Sequence, residues 1–558
     1  MIAPRPLFSS VIKLIIVMGL MLWGVEIMQQ REPSLYWVGF ALTLFMGIFS
    51  LKQIVIVLNA SLHAASQNEL YAHSQKNSGQ YGKARLANVN DKVIQELKDK
   101  RGFFLGCLDD TLLFYNPFAS SKGHMISYAP SRTGKTTSLV IAAALHWFGG
   151  SLFLPDIKGE ITKITSLHRQ QKGHRVITWN PFNVLDIPNQ SYNPLYVLVQ
   201  DILTNSAKNL HDLILLIASQ LIPKLSDKES GAFFRNGGRK LLVALMLYLA
   251  VFKPRECNLP TLRDLVWSSS EEKLAIANEL TDAPLLTSLL KGYGNTLIEL
   301  LDPAYIKTYG PMRDYAQDAT QIFDANTSFG KSLTGNDFDL DMVLDGKTTI
   351  FPIIPEDKLE THGKGIGLMA ALLFEKIAAS KKSSPIMMLL EEFGNLGVLP
   401  NIKKALTLLP GKGCRCWIIL QSRRQNISLY GENTAKLIEE QSGMIQQWAI
   451  RDLDDRKRWS ERIGNKTEKA WSLSHDPKDP TTPWKPNVNE RAAPVFAADH
   501  IGRMSNDWQL ISIDASYVIL AERIPYFQIE PWRSQAQINP YHPEGYPKDK
   551  PVRYGRRG

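Results

Sequence analysis

Two apolar stretches at the amino terminus differ in kind from the rest of the chain. The first runs over Leu7–Val25, and the second, Ser34–Leu51, carries no charge and begins close to Tyr36 and Trp37. Each approaches the roughly 20 apolar residues that a helix needs to cross a bilayer, and paired aromatic residues suit the headgroup level of a membrane. The pattern predicts a two-helix transmembrane hairpin.

The charges around the two stretches predict the orientation of this hairpin. The loop between them, Gln29–Pro33, is too short to hold a domain, whereas lysine and arginine residues lie towards the outer ends: Arg5, Lys13, Lys52, Lys76, Lys83 and Arg85. Since basic residues are enriched on the cytoplasmic side, we expect a multi-pass protein with both termini in the cytoplasm. A cleaved signal peptide is the alternative for the first stretch, but no small-x-small cleavage site follows it.

From residue 124 onward, short apolar runs alternate with helical patterns. Helices are predicted over Thr136–Trp147 and Ile366–Ala379, and strands over His124–Tyr128, Ser151–Leu154, Arg175–Thr178, Thr349–Ile354, Ile386–Leu390 and Cys416–Leu420. A last strand pair is predicted at Gln509–Ile513 and Tyr517–Ala521. Alternation of this kind is typical of an α/β fold with a mostly parallel sheet.

The region between about 197 and 340 breaks the alternation. Its apolar residues recur at spacings of three and four, which predicts helices at Leu210–Leu221, Arg239–Ala250, Leu262–Trp267 and Glu271–Leu280. Because strands are predicted on both sides of this region, we interpret it as an all-helical domain inserted into the sheet domain.

Composition narrows the class of protein. Hydrophobic residues make up 44% and charged residues 21% of the chain, which is typical of a globular protein. The net charge of +10 favours partners rich in phosphate or anionic lipid without requiring them. The cysteines are few and form no C-x-x-C pair, as expected in a reducing cytoplasm. Cys414 and Cys416 should point to the same face of a strand, as small buried side chains rather than a metal site.

Nine residues between a predicted strand and a predicted helix have the pattern of a phosphate-binding loop: Ala129, Pro130, Ser131, Arg132, Thr133, Gly134, Lys135, Thr136 and Thr137. Backbone N–H groups of such a loop, together with the helix N-terminus, cradle phosphate oxygens. Lys135 is expected to reach the β- and γ-phosphates of ATP, and the hydroxyl of Thr136 to bind Mg²⁺. Ala129 stands where the pattern has its first glycine. The turn tolerates alanine at this position if the φ angle of the residue is negative.

Carboxylates follow the apolar run Ile386–Leu390, at the position where a phosphate-loop protein holds its metal. Glu391 occupies the place of the metal-binding aspartate and Glu392 that of the residue that activates water. Alone, an acidic strand end is ordinary and can favour the next helix N-terminus; beside a phosphate loop, the catalytic interpretation is stronger. Gln421 ends the next strand, where a polar side chain can orient water against the γ-phosphate.

ATPase motors with this order of motifs usually act as rings in which a neighbour supplies an arginine finger. Arg415, Arg423 and Arg424 are near Gln421 in sequence and are the candidates, with Arg415 assigned to the catalytic set; each is also consistent with an ordinary packing or surface role. Gly363–Gly367 lacks dinucleotide-binding spacing, and we predict a loop there. The chain has no H-E-x-x-H sequence, which excludes a membrane-anchored ATP-dependent metalloprotease.

The motifs together resemble those of the VirD4/TraG family of type IV secretion coupling proteins. The resemblance is carried by the phosphate loop and by Asp156–Glu160, Trp179–Phe182, Tyr192–Leu195, Glu391–Gly397, Gln421–Ser422 and Tyr430–Gly431. Asp-Ile-Lys-Gly-Glu at its distance from the loop is more specific than the loop itself. The chain departs from the family at Glu391, where aspartate is usual, and at Thr136 and Thr137.

The resemblance implies a fold, an activity and partners. The fold would be a RecA-like P-loop ATPase sheet domain with a helical insertion and a two-helix anchor. It also implies a homo-hexamer on the cytoplasmic face of a bacterial inner membrane, which uses ATP and Mg²⁺. Such proteins recruit relaxase-bound single-stranded DNA or protein effectors to the secretion channel. Two alternatives stay open: a receptor platform that hydrolyses ATP slowly or not at all, and an exporter of proteins only.

The predicted organisation has six parts. They are an anchor at 1–58, a stem at 59–100, a nucleotide-binding domain in two parts at 101–196 and 341–530, the helical domain at 197–340 and a basic tail at 531–558. Arg456–Arg458 and the arginines of the tail are candidates for contact with the phosphate backbone of DNA, although exposed basic clusters are usually just solvated.

Overall fold

A computed structural model describes residues 5–29, 32–74, 79–119, 123–223, 231–302, 304, 306–381, 384–474, 485–545 and 553–554. The chain divides into two compact units. The first comprises Met1–Lys83 and Asn465–Pro494, and the second comprises Ala84–Gly464 and Val495–Gly558. Most of the charged end of the predicted basic tail lies outside the described residues.

Most strands belong to the second unit and are short and largely apolar, whereas β10 and β11 of the first unit have ten residues each and are mostly polar. They are β1 (Phe103–Leu108), β2 (Thr111–Tyr115), β3 (His124–Tyr128), β4 (Ser151–Phe153), β5 (Arg175–Trp179), β6 (Thr348–Pro352), β7 (Ile386–Leu390), β8 (Cys414–Leu420), β9 (Ser442–Trp448), β10 (Asn465–Ser474), β11 (Lys485–Pro494), β12 (Trp508–Ile513), β13 (Ile519–Glu522), β14 (Ile529–Glu530) and β15 (Arg553–Tyr554).

The helices range from one turn to 42 residues. They are α1 (Arg5–Met28), α2 (Pro33–Ser74), α3 (Lys92–Glu96), α4 (Ile141–His146), α5 (Glu160–Gln171), α6 (Tyr196–Asn205), α7 (Leu210–Leu221), α8 (Ala232–Phe252), α9 (Leu259–Trp267), α10 (Ser270–Thr281), α11 (Thr287–Leu301), α12 (Ile306–Thr320), α13 (Ser328–Lys331), α14 (Glu356–Ala379), α15 (Ile402–Leu408), α16 (Arg423–Glu440), α17 (Leu453–Ile463), α18 (Ala498–Gly502) and α19 (Trp532–Gln535).

One large sheet organises the second unit. Among the described residues its strand order is β2-β1-β13-β12-β9-β3-β8-β7-β4-β6-β5. All neighbours from β9 to β5 are parallel, whereas β12, β13, β1 and β2 extend the sheet by antiparallel pairing. The carboxyl ends of parallel strands share one edge, so the segments that follow β3, β7 and β8 meet there. The predicted α/β fold with a parallel sheet is confirmed.

Two hydrophobic cores lie on opposite faces of this sheet. Because successive side chains of a strand alternate between faces, Met388 and Leu390 of β7 join the core that the long helices cover. Met387 and Leu389 join the other core, with α4, β1 and β2. Burial on both faces explains why these strands read as continuous apolar runs. All four cysteines are buried free thiols, and Cys414 and Cys416 belong to the same core, as predicted.

Helices α6 to α12 lie in sequence between β5 and β6, where the pattern predicts a helical insertion. The predicted bounds of α7 agree with the structure, and the other three predicted helices fall within α8, α9 and α10. These helices share a core with the sheet and belong to the same compact unit. A separate inserted domain therefore stays a prediction.

The segment Gly363–Gly367 is helical, so the predicted loop is wrong. It lies inside α14, and its three glycines are buried. A Cβ atom at Gly363 or Gly367 would collide with a backbone carbonyl of Asn395 or Leu396. The glycines therefore let α14 approach the turn that follows β7, and close packing rather than chain flexibility explains them.

The first unit contains α1, α2 and an antiparallel hairpin of β10 and β11. The two helices contact closely at Gly24 and Gly39, where a Cβ added to Gly39 would lie 2.9 Å from the carbonyl oxygen of Gly24. Further along, Ser50 Oγ donates to Met21 Sδ at 3.6 Å. Small residues at such a crossing are typical of paired membrane helices.

The apolar length of these helices supports one membrane span. Within the described residues, Pro33–Lys52 is long and apolar enough to cross a bilayer, whereas the apolar part of α1, Ile15–Met28, is shorter than that test requires. Helix α2 continues without a break to Ser74, into the part predicted to be a stem. The multi-pass anchor remains part of the proposal below.

Candidate nucleotide site

The phosphate loop connects β3 to a π-helical turn, Thr136–Val140, that leads into α4. The backbone N–H of Ala129 donates to Leu420 O at 2.8 Å, and Ala129 does not adopt a positive φ, so the loop accommodates alanine here. Positive φ values occur instead at Arg132 (61°) and Gly134 (81°). The hydroxyl of Ser138 donates to Gly134 O at 2.7 Å and fixes the end of the loop.

Lys135 lies against the end of β7. Its Nζ donates to Oε1 of Glu392, and the two side chains form an ion pair that is largely shielded from solvent. Glu392 adopts a positive φ of 51°, an uncommon backbone conformation for this residue type. Gln421 at the end of β8 donates through Nε2 to the other carboxylate oxygen of Glu392 at 3.3 Å. Two predicted site residues, Lys135 and Gln421, thus converge on the carboxylate of a third, Glu392.

Thr136 and Glu391 form the adjacent contact. Thr136 Oγ1 donates to Oε1 of Glu391 at 2.7 Å, and Glu391 is only 4% exposed. Burial raises the pKa of Glu391 to about 7, an effect that the charge of Lys135 opposes and that Asp156 increases. Burial also lowers the pKa of Lys135. The site therefore holds groups of opposite charge in a pocket largely closed to water. Burial disfavours the charged form of each group, and the opposite charge beside it favours that form.

Asp156, from the motif most specific to the resemblance, lies at the end of β4 next to β7. It is fully buried and accepts hydrogen bonds from the backbone N–H and the hydroxyl of Thr162, both at 2.8 Å, and from the N–H of Lys158. Burial raises the pKa of Asp156 to about 6. Glu160, in the same motif, accepts from Asn539 Nδ2 at 2.5 Å. Asp156 shapes the loop beside the site rather than facing outward from it.

The donor set fits magnesium bound together with a nucleotide. Within the described part of the chain, no group of three or more His, Cys, Asp or Glu side chains is arranged to hold a metal ion by itself. Mg²⁺ prefers oxygen ligands and commonly takes one or two carboxylates plus phosphates and waters. A threonine hydroxyl and a carboxylate in direct contact, as at Thr136 and Glu391, match that requirement.

Arg415 lies at the wrong end of its strand to serve this site. It is the second residue of β8, whereas Gln421 follows the last, so the two are separated by about 20 Å along the strand. Its guanidinium donates to Pro117 O at 2.8 Å and to Pro410 O at 2.9 Å. The expectation that Arg415 lies near the phosphate loop is wrong, because an extended strand places residues that are six positions apart at its opposite ends.

The other two candidate arginines begin α16 and differ in exposure. Arg423 donates to Glu439, which also accepts from Tyr128 Oη at 2.6 Å and from Arg458 at 2.8 Å. The side chain of Arg424 is 76% exposed and pairs with Asp452 at 2.8 Å. Arg423 is therefore committed to a buried network, and Arg424 is the one of the three that a neighbouring subunit could reach.

Two residues that hold the phosphate loop from its other side escaped the sequence analysis. Arg523, just beyond β13, donates to the carbonyl oxygen of Thr133 at 2.7 Å. Its guanidinium lies 4.7 Å from the ring centre of Trp448, and Trp448 Nε1 donates to Thr133 Oγ1 at 2.9 Å. No short motif marks either position; only the sheet order, in which β9 lies next to β3 and β12 and β13 follow beyond β9, brings them to the loop.

Two further motifs of the resemblance, Trp179–Phe182 and Tyr192–Leu195, have structural roles. Asn180 donates to the carbonyl oxygens of Val184 and Ile187 and accepts from the N–H of Val184, which closes the turn after β5. Asn193 donates to Cys257 O at 2.8 Å and so ties this region to the segment before α9. These residues fix loops around the site and do not contact the phosphate loop.

The comparisons with known proteins decide the family. A family model described as Type IV secretory system Conjugative DNA transfer matches residues 74–546. The chain belongs to this family. It is 25% identical over 448 residues to the type IV secretion system-coupling protein VirD4 of Bartonella henselae, covering 78% of this chain and 67% of the relative. It is 24% identical over 468 residues to the conjugal transfer protein TraG of Agrobacterium fabrum, covering 80% and 66%. The predicted VirD4/TraG relationship is confirmed.

Solved structures support the fold. The conjugative coupling protein TrwB, in its unbound monoclinic form, matches with a TM-score of 0.57 at 13% identity, over 79% of this chain and 92% of that one. TrwB in complex with ADP and Mg²⁺ matches with a TM-score of 0.53 at 14% identity, over 79% and 94%. At these identities the likeness concerns the fold alone, and it agrees with the predicted α/β fold built on a mostly parallel sheet.

Proposed function

We propose that this chain is the coupling ATPase of a type IV secretion or conjugation system. Family membership supports the system, and one observation carries the activity: Lys135, Thr136, Glu391, Glu392 and Gln421 meet at a single edge of the sheet. TrwB structures with an ATP analogue and with ADP and Mg²⁺ show what a protein of this fold binds, and we extend both ligands to this chain.

Each side chain has a role that its contacts support. Lys135 leaves Glu392 and binds the β- and γ-phosphates, while backbone N–H groups of the loop hold the α- and β-phosphates. Thr136 and Glu391 hold Mg²⁺, which neutralises charge on the phosphates when it is bound. Release of Lys135 frees Glu392 to accept a proton from the attacking water, and Gln421, already hydrogen-bonded to Glu392, orients that water.

The setting follows from the family and from the amino-terminal helices. We propose a multi-pass anchor formed by α1 and α2 in a bacterial inner membrane, both termini in the cytoplasm, a helical domain at 197–340 that receives substrate, and a homo-hexameric ring. The partners are single-stranded DNA with its relaxase, or protein effectors, together with the secretion channel. The close packing of Gly24 against Gly39 supports a paired anchor.

ATP hydrolysis by the full chain in membranes or detergent, with and without single-stranded DNA, tests the proposal. We expect Mg²⁺-dependent hydrolysis that DNA stimulates and that Lys135→Ala abolishes. Arg424→Ala should lower hydrolysis only in the assembled ring. If the wild-type chain binds ATP but hydrolyses none with DNA and channel components present, the motor is excluded.

That outcome would favour a receptor platform, the second candidate. The observation behind it is that Glu391 is one methylene longer than the usual aspartate and contacts Thr136 directly, which crowds the position of the metal. The third candidate, export of proteins alone, is separated by DNA binding. A DNA transporter should bind single-stranded DNA with an affinity that falls steeply with salt, whereas a protein-only exporter should not.

A further inference from the structure

Glu392, the group proposed above to activate water, lies in a turn with a strained backbone. Its φ and ψ angles are 51° and 39°, in the left-handed region that residues other than glycine rarely adopt. Such a conformation persists only where the surrounding structure holds it, and it is frequent at functional sites. The carbonyl oxygen of Glu392 accepts from the N–H of Asn395 at 2.8 Å, which closes the turn locally. The elements that pack on this turn therefore determine where the Glu392 carboxylate lies.

The first part of α16, Arg423–Tyr430, covers this turn, and Gln425 lies against it. A Cβ atom added to Gly394 would collide with the side-chain amide of Gln425, so the amide lies directly on the Gly394 backbone. Glycine permits this close approach. Movement of the amide would therefore release the backbone two residues after Glu392.

Tyr430, further along α16, contacts the same segment twice. Its ring stacks on that of Phe393, which directly follows Glu392, with ring centres 5.5 Å apart and planes inclined at 13°. Its hydroxyl accepts from the N–H of Leu399 at 3.2 Å. The helical conformation breaks at the next residue, Gly431, whose φ of 75° favours glycine. The Tyr430–Gly431 motif therefore ends the part of α16 that lies against the turn.

The amide of Gln425 also holds the backbone of Gln421. Oε1 of Gln425 accepts from the N–H of Gln421 at 3.1 Å, and Oγ of Ser422 accepts from the N–H of Gln425 at 3.3 Å. Serine and glutamine at this spacing form a capping box, in which the glutamine ordinarily bonds to the N–H of the serine. Here the bond goes to the residue before the serine. The cap therefore fixes Gln421, whose side chain donates to Glu392.

We propose that Gln425 is a positioning residue for ATP hydrolysis, since its amide holds both the turn that carries Glu392 and the backbone of Gln421. These two residues follow different strands, and Gln425 fixes them at the separation that one attacking water requires. The inference rests on the proposed function. An ordinary capping box is the alternative, and it would stabilise α16 without affecting the rate per folded molecule.

Two variants disturb the contact from its two sides. Gln425→Ala removes the amide, whereas Gly394→Ala pushes it aside with little loss of stability, because the colliding atoms are the end of a flexible side chain. We expect each variant to lower kcat, measured with single-stranded DNA, about tenfold. The affinity for ADPNP with Mg²⁺, measured by calorimetry on the full chain, should not change. In the double variant no amide remains to be displaced, so it should be no slower than Gln425→Ala.

Hydrogen exchange of the nucleotide-free chain gives a readout that does not depend on hydrolysis. The N–H groups of Asn395 and Gln421 are hydrogen-bonded and should exchange slowly in wild type. Gln425→Ala should accelerate exchange, measured by mass spectrometry, in peptides that cover 392–399 and Gln421. Gln425→Met keeps a side chain of similar length on Gly394 but has no acceptor oxygen, so it should accelerate exchange at Gln421 alone.

The matched controls are Gln171→Ala, at an exposed glutamine of α5, and Gly292→Ala, in α11 with open space around it. Neither should change kcat or the exchange of 392–399. If Gln425→Ala does not fold, Gly394→Ala and Gln425→Met answer the same question.

The inference and the proposed function fail in different ways. A lower unfolding temperature in Gln425→Ala, with kcat per folded molecule and exchange in 392–399 unchanged, would show an ordinary capping box and overturn the inference alone. A double variant much slower than Gln425→Ala would also overturn it, because Gly394→Ala would then act without the amide. Absence of hydrolysis by wild type with DNA and channel components would overturn the proposed function, and the inference with it.

Discussion

Thr136 Oγ1 donates a hydrogen bond of 2.7 Å to Oε1 of Glu391. The contact joins the phosphate loop to the end of β7 across 255 residues of sequence, and it places a hydroxyl and a carboxylate where a magnesium ion bound with ATP needs oxygen ligands. Glu391 reaches this position with a side chain one methylene longer than the aspartate that usually holds the metal beside a phosphate loop.

The length and charge of Glu391 should therefore have separable effects. Glu391→Gln keeps the shape but removes the negative charge, so we expect hydrolysis to fall at least 100-fold while nucleotide binding persists. Glu391→Asp shortens the side chain by about 1.5 Å and makes room for direct metal contact, so hydrolysis should be retained or increased. Steady-state ATPase rates across a Mg²⁺ titration measure both. An inactive Glu391→Asp would show that the longer side chain is required.

The pairing of Lys135 with Glu392 predicts that Glu392→Gln affects ATP binding and the rate of hydrolysis differently. The neutral amide no longer holds Lys135, so the lysine is available to phosphate and ATP should bind at least as tightly as in wild type. The same variant lacks a general base, an effect that typically costs 10²–10⁴-fold in rate. Calorimetry with ATP and a single-turnover assay check the two halves. Weaker binding would mean that Glu392 positions the loop rather than activating water.

Arg415 should matter for stability and not for catalysis within a subunit. Its guanidinium donates to the carbonyl oxygens of Pro117 and Pro410 at the far end of β8. Hydrogen bonds from a charged donor contribute about 1.5–3 kcal/mol, so Arg415→Ala should lower the free energy of unfolding by about 2 kcal/mol. Denaturant unfolding and ATPase rates per folded molecule test this.

The exposed Arg424 is the matched control for the effect of Arg415 on stability. Its ion pair with Asp452 is at the surface, where such pairs contribute little, so Arg424→Ala should leave the free energy of unfolding unchanged. A loss of catalytic rate in Arg415→Ala with normal stability would contradict the placement of Arg415.

Sequence alone predicted the strands and side chains that carry strong local patterns. Fully buried parallel strands such as β7 appear as unbroken apolar runs, and the phosphate loop and Glu391–Glu392 follow two of these strands directly. Because the carboxyl ends of parallel strands meet at one edge of the sheet, the sequence was enough to predict that these groups lie close together.

The residues that no sequence pattern revealed lie where segments distant in the sequence pair with each other. Strand β9 contains Gln446 and Gln447, which interrupt its apolar run; both are buried, and Gln446 Nε2 donates to Gln509 of β12 at 2.5 Å. Partners of this kind, from segments far away in the sequence, make a buried amide tolerable, and no window of sequence shows them. Arg523 and Trp448 were missed for the same reason, since β9 and the antiparallel strands bring them to the phosphate loop.

The glycines of α14 should be sensitive to the smallest side chain. A Cβ at Gly367 would collide with the carbonyl oxygen of Leu396, in the segment that follows Glu391 and Glu392. We expect Gly367→Ala to displace that segment, weaken the contact between Glu392 and Lys135, and lower both hydrolysis and unfolding temperature. Gly292→Ala, in α11 with open space around it, is the control and should stabilise slightly, because alanine favours helix over glycine by up to about 1 kcal/mol.

His124, in the strand that leads to the phosphate loop, should make stability depend on pH. It is 1% exposed, accepts from the N–H of Cys416 at Nδ1 and lies 2.8 Å from Leu406 O through Nε2, an arrangement that suits the neutral ring. Burial lowers its pKa from 6.5 to about 4. Between these values the unfolded chain binds a proton that the folded chain does not, so His124 favours folding above pH 6.5 and this contribution is lost as the pH falls towards 4.

The contribution amounts to roughly 3 kcal/mol over that interval. His124→Asn retains an acceptor and does not titrate, so its free energy of unfolding should fall less between pH 7 and pH 4 than that of wild type. The difference between the two proteins isolates His124 from His174, whose lowered pKa acts in the same direction, and from Asp156, whose raised pKa acts in the opposite one. Parallel curves of unfolding free energy against pH would show that His124 is protonated alike in the folded and unfolded chains, and would contradict its placement as a neutral, buried ring.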